Sequence, residues 1–179
     1  MVGFAFVFSA FSADHMVKPK WADGNQLSRP EGYRDWMFAG SNYGMGYAEG
    51  QPTSDAKAKT FHNIFVQREA YRSFSKTGQF PDGTMLVMEV VKPASNAPPN
   101  KQGVYQDQFV GIEVAVKDSK RFAEKWAYFK LFGDNGQPLD QGKAFPKNSC
   151  WSCHNEHGGA DNVFVQFYPP LRDAATRKR

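Results

Sequence analysis

The sequence predicts an α+β domain, predominantly antiparallel β-sheet with short flanking helices. Three observations carry this. Segments rich in β-branched and aromatic residues outnumber helical ones, giving four or five strands against three or four short helices. No long helical crossover lies between consecutive strands, as parallel pairing would require. The composition is that of a globular chain: of 179 residues, 41% are hydrophobic and 15% aromatic, and sixteen Phe provide for a large aromatic core. The length suits one domain.

The elements follow in chain order. Val2 to Phe11 is the longest apolar run, and small residues follow at Ser9 to Ala13. We read residues 1–13 as a secretory signal peptide or its remnant. No stretch reaches the ~18 apolar residues of a membrane helix. Residues 14–29 are polar and mixed and read as an N-terminal arm or loop. Pro30 beside an acidic residue signals a short helix from Pro30 to Phe38. Gly40 and the Gly-rich stretch from Gly44 to Gly50 then end it in a loop. Thr60 to Val66 reads as a strand. Gln67 to Lys76 reads as a helix, with Ala70, Tyr71 and Phe74 at helical spacing and Gly78 as its stop. Pro81-Asp82-Gly83 is a turn, because Pro presets φ and Gly permits φ > 0.

Met85 to Val91 is the next strand and Pro93 to Gly103 a loop. Phe109 to Lys117 has the clearest alternation: Val110, Ile112, Val114 and Val116 on one face, Phe109, Gly111, Glu113 and Ala115 on the other. A turn or short helix over Lys120 to Lys125 precedes a strand from Trp126 to Phe132, and Gly133 to Pro138 turns back. Val163 to Tyr168 reads as a last strand, stopped by Pro169-Pro170. The domain proper is thus placed at residues 30–171, with a basic tail at 172–179. Four basic residues and one acidic residue of that tail account for most of the net charge of +4. A basic tail without a basic groove gives no reason to expect a nucleic-acid partner.

The chemistry is concentrated in Cys150-Trp151-Ser152-Cys153-His154, which holds both cysteines of the chain. C-x-x-C-H is the attachment pattern of c-type haem. Two thiols on one helical turn reach the two vinyl groups of a haem edge, and the following His supplies the proximal nitrogen to iron. One covalent haem c is therefore expected, held by Cys150, Cys153 and His154, with His154 as the metal ligand. Attachment of this kind takes place in oxidising compartments, which agrees with an export signal and a periplasmic location. A thioredoxin-like pair needs a βαβ setting, and structural zinc needs four ligands, with only His15, His62 and His157 left as nitrogens.

The distal side stays open at this level. Met85, Met88, Met37 and Met45 are candidate sixth ligands for an electron carrier, and a Met in a buried strand is ordinarily core filler. Glu113 reads either as a carboxylate over the haem, able to relay protons, or as a solvent-facing charge on a half-exposed sheet. Gly111 and Ala115 beside it leave room for something large and flat. Glu89 lacks such neighbours. His62, on a strand face with Thr60 and Ile64, is a candidate donor to a bound ligand or a satisfied core His.

These residues together resemble the cytochrome P-460 family, which includes the cytochromes c′-beta. The resemblance runs through Tyr33-Arg34-Asp35-Trp36, Phe61-His62-Asn63-Ile64-Phe65-Val66, and Lys76 to Thr84 with its Phe-Pro-Asp-Gly-Thr turn. It continues through Phe109 to Glu113, Val116 to Phe122, Trp126-Ala127-Tyr128-Phe129 and Ala144-Phe145-Pro146 into the haem motif, and closes at Gln166-Phe167-Tyr168-Pro169. It implies an antiparallel sheet carrying one five-coordinate c-type haem, usually in a homodimer, with an open, partly aromatic distal face. Members of the P-460 type oxidise hydroxylamine. Members of the c′-beta type bind nitric oxide and carbon monoxide.

The P-460 type carries a lysine bonded to the haem ring, and the resemblance places its position at Met88. No Lys lies between Thr84 and Val91, and Lys76 and Lys92 flank the strand. The family's distal carboxylate maps to Glu113 and a basic distal group to His62. The expectation is an exported cytochrome that binds nitric oxide or a related nitrogen ligand at an open iron site, with a possible electron-transfer protein as partner. The alternatives are a hydroxylamine or nitric-oxide oxidoreductase, and an electron carrier with Met as sixth ligand.

Overall fold

A computed structural model describes residues 16–45, 59–99 and 101–177. The expected signal segment, His15, and Gly46 to Gly50 of the Gly-rich stretch lie outside the described residues. Five strands form one antiparallel sheet in chain order: β3 (Met37–Tyr43), β4 (Phe61–Val66), β5 (Met85–Ser95), β6 (Val104–Lys117) and β7 (Trp126–Lys130). A small second sheet joins β1 (Trp21–Ala22), β2 (Gln26–Ser28) and β8 (Gln141–Gly142). Three α-helices complete the described fold: α1 (Arg68–Thr77), α2 (Trp151–His157) and α3 (Pro169–Thr176). The α+β, predominantly antiparallel class predicted from the sequence is the class observed.

Alternation of side chains along the central strands makes the sheet a partition between two apolar layers. On one side Met85, Val87, Ile112, Val114, Val116, Ala127 and Phe129 pack with Leu27 and Tyr33. On the other, Ile64, Val66, Leu86, Trp126 and Tyr128 pack with Ala70 and Phe74 of α1 and Leu171 and Ala174 of α3. Helix α1 is amphipathic, and it stops at Gly78, whose φ of 69° needs no Cβ accommodation and whose N–H closes on the Phe74 carbonyl.

Four local expectations are corrected. The Pro30–Phe38 helix is only a 3₁₀ turn at Tyr33–Asp35, because strand β3 begins at Met37 and pairs along β4. Gly40 lies inside β3 beside a register shift, not in a loop; a Cβ there would meet the Tyr168 ring at 3.2 Å. The 14–29 arm is partly structured: it supplies β1 and β2, with Leu27 wholly buried. The Val163–Tyr168 strand is a 3₁₀ turn at Val165–Phe167, and Pro169-Pro170, read as a stop, opens α3. Pro suits a first helical turn because the N–H it lacks would have no partner there. Helix α3 thus buries Leu171 at the end of the predicted domain and runs into the segment read as a basic tail as far as Thr176, with Ala174 4% exposed. Strands β5 and β6 also run longer than expected, to Ser95 and from Val104.

Candidate functional site

Strand pairing lines up one row of residues across the sheet: Gly40 opposite Ile64, Ile64 opposite Met88, Met88 opposite Glu113, Glu113 opposite Lys130. Directly paired residues share a face, so Met88 and Glu113 point to the same side. Two residues along the strands, on the same face, Leu86, Ala115 and Tyr128 form the next row. Ile64, Met88 and Glu113 of the first row and all three residues of the second floor a cavity of about 210 Å³ between the sheet, α2 and α3. Its opposite wall holds Cys150, Cys153 and His154, and Phe164, Tyr168 and Leu171 complete it.

The three motif residues converge because Cys150 caps α2 and Cys153 and His154 sit in its first turns. His154 lies between two aromatic rings, Tyr128 at 4.3 Å and Phe164 at 4.2 Å between centroids. Its Nδ1 is 2.9 Å from the Asn162 carbonyl oxygen. A carbonyl only accepts, so Nδ1 carries the proton and Nε2 keeps its lone pair for a metal. Burial holds the imidazole below its ordinary pKa, with the bond to Asn162 opposing, so the ring is neutral at pH 7. The Tyr128 hydroxyl donates to the same carbonyl at 2.9 Å.

Both thiols are free. Burial, followed by the charges of Glu113 and Cys153, pushes Cys150 up to about 11. A redox-active C-x-x-C pair requires the opposite shift, toward a stable thiolate. Among the described residues no three His, Cys, Asp or Glu side chains gather as a ligand set for a free ion. A ring held at its edge by two thiols, with its metal held by one imidazole, needs no such gathering. The donor set and the largely apolar walls therefore fit a haem.

The other sequence candidates fall as follows. Glu113 and Met88 line the cavity. Burial raises the Glu113 carboxyl above its ordinary range, and Lys130 across the strand partly offsets this. His62 is one row further out, opposite Val90, and is not among the cavity-lining residues. Its Nε2 is 3.1 Å from Thr60 Oγ1, and burial lowers its pKa. Met85 faces the small sheet instead, and Met37 and Met45 do not line the cavity. Lys76 and Lys92 are exposed. Glu89 is buried on the opposite face, where it accepts from Tyr33 Oη at 2.7 Å, Arg34 Nε at 2.6 Å and Asn63 Nδ2 at 3.3 Å. The room expected at Gly111 is filled: a Cβ there would fall 2.4 Å from Phe132. Ala115 does border the cavity.

Sequence reasoning missed Lys130 as the neighbour of Glu113, Asn162 as the partner of His154, and Leu171 as a cavity wall. The alternation in β6 and β7 is the only local signal that could have pointed to the first. Residues 30–165 match the family model described as Cytochrome P-460. A search of curated proteins gives no significant match. The match spans most of the chain and includes the motif, the Glu113 strand and the Asn162 turn. The chain belongs to the cytochrome P-460 family, and so to the haem-binding cytochromes.

Proposed function

We propose that this cytochrome carries one covalent haem c and binds nitric oxide or a related small nitrogen ligand at an open iron position. The observation that carries the reading is the wall formed by Cys150, Cys153 and His154, with Nδ1 committed to Asn162 and Nε2 left for a metal. In this reading the thiols form thioethers and fix the ring edge, and His154 is the proximal ligand. When bound, haem supplies an iron whose sixth position takes a diatomic or nitrogen-oxide ligand. The chain supplies the rest. Ile64, Leu86 and Phe164 exclude water, while Tyr128 and Phe164 hold the imidazole plane. Export to the periplasm, assembly as a homodimer and exchange of electrons with a protein partner belong to the same reading.

A second reading rests on Glu113. A buried carboxyl that tends to keep its proton, in the wall of the same cavity, can donate to a bound nitrogen species. That favours a hydroxylamine or nitric-oxide oxidoreductase. Met88, at the position the resemblance gives to the cross-linking lysine, counts against it. Met88 as a sixth ligand would instead give an electron carrier.

The test is expression with a cytochrome c maturation system, then ferric and ferrous spectra with and without nitric oxide and carbon monoxide. The open-site reading expects a high-spin ferrous spectrum that shifts with both gases. Hydroxylamine-dependent reduction with steady turnover would establish the oxidoreductase. A low-spin spectrum that neither gas moves would leave the electron carrier. Absence of covalent haem would overturn the assignment of Cys150, Cys153 and His154.

A further inference from the structure

The Asn162 carbonyl that holds His154 sits in a turn the backbone does not favour. Asp161 and Asn162 both have positive φ, 49° and 59°. Two consecutive non-glycine residues in the left-handed region persist only where surrounding contacts over-determine them. Here those contacts converge on one carboxylate. Asp161 Oδ2 accepts from the Phe80 N–H at 2.7 Å and from Lys117 Nζ at 2.7 Å. Its Oδ1 accepts from Lys117 at 3.0 Å and from the Trp126 indole N–H at 3.3 Å. The two charged side chains are only 10% and 8% exposed. Lys117 also donates to the Phe80 carbonyl at 2.7 Å. A turn 44 residues distant from Lys117 is thereby tied to the ends of β6 and β7 and to the segment before β5.

We propose that Asp161, clamped by Lys117, is a positioning residue that fixes the Asn162 carbonyl against His154 Nδ1 and so sets the electron donation of the axial imidazole. This rests on the haem reading above. A well-placed acceptor gives the ring imidazolate character, which favours ferric over ferrous iron. Loosening the turn weakens the bond and lessens that preference. The ion pair thus acts on iron through one peptide carbonyl, and neither partner touches the site.

The test uses the haem-loaded protein, with the midpoint potential and the ferrous iron–histidine stretching band as readouts. Asp161→Asn and Lys117→Met each remove one partner. The expected result for both is a lower stretching frequency and a threefold to tenfold shift toward ferrous iron, roughly 30–60 mV higher at ~59 mV per tenfold for one electron. The shared sign is decisive. A through-space field alone would raise the potential in Asp161→Asn, which loses a negative charge, and lower it in Lys117→Met, which loses a positive one. Opposite shifts, or lower thermal stability with both readouts unchanged, would overturn the proposal. Should a single variant fail to accumulate, Lys117→Met/Asp161→Asn, a neutral pair of similar volume, carries the same expectation. Failure of the wild-type chain to take up covalent haem would be a separate result, overturning the haem reading itself.

Discussion

Replacing Leu171 by alanine tests whether the C-terminal helix belongs to the core or trails from it. Leu171 is fully buried, packs in the helix-side core and forms part of the cavity wall. The three carbons removed carry ~2.4 kcal/mol of transfer free energy at ~0.8 kcal/mol each. A residual void of roughly 40 Å³ adds ~1 kcal/mol at ~24 cal/mol per Å³. The expected loss is therefore roughly 3 to 3.5 kcal/mol, or ~7–14 °C in Tm for a domain of this size. Urea denaturation followed by far-ultraviolet circular dichroism measures it, with the urea slope checked for constancy. The neighbouring Arg172 is exposed, so Arg172→Ala should stay within about 0.5 kcal/mol of wild type. A Leu171→Ala loss below ~1 kcal/mol, or equal losses for both variants, would refute the placement of α3 in the core.

Gly111→Ala drives a methyl into the Phe132 ring, and the expected cost is about 1–3 kcal/mol in the same assay. Glu113→Gln should stabilise the fold at pH 7. Burial raises the folded pKa, so the ionised form opposes folding once pH exceeds the unfolded value of ~4.3; the gain should vanish in denaturation curves taken below that pH. For His62 the sign is opposite. Its folded pKa is lowered, so below pH ~6.5 the unfolded chain takes up a proton that the folded chain refuses, and stability falls as acid is added. His62→Gln should flatten that slope, and an unchanged pH profile would place the ring in solvent. Cys150→Ala and Cys153→Ala should each leave a single thioether, seen as a red-shifted pyridine haemochrome band, under the covalent haem reading.

What the sequence disclosed was what short range controls. Helix α1 announces itself because its apolar spacing and the Gly78 cap lie within one segment. Strand β6 does so because alternation at Ile112, Val114 and Val116 repeats every second residue. The C-x-x-C-H pattern is legible because it is contiguous, and the fold places Cys150, Cys153 and His154 on one cavity wall. The errors arose where one local signal serves two structures. Pro169-Pro170 suits the end of a strand and the first turn of a helix alike, and only the packing of Leu171 and Ala174 decides between them. Pro30-Glu31 looks like a helix start until β4 recruits Met37 to Tyr43 into the sheet. Gly111 promises space that a residue 21 positions later fills, and Lys117 and Asp161 carry no mark of each other across 44 positions.

Helix α2, which carries most of the C-x-x-C-H motif, has no fully buried residue, and Trp151, Cys153 and His154 are half-buried. Its ties to the body include the Trp151 indole N–H to the Glu124 carbonyl at 3.2 Å and the His154 bond to Asn162. Against the helix-side layer it contributes Trp151, which is only partly buried. Local opening free energies are lowest where little apolar surface is buried, so amides of α2 should exchange with solvent well before those of β5 and β6. For biogenesis this ordering has a use. Under the covalent haem reading, the sheet would hold together while a looser α2 presents Cys150 and Cys153 for attachment.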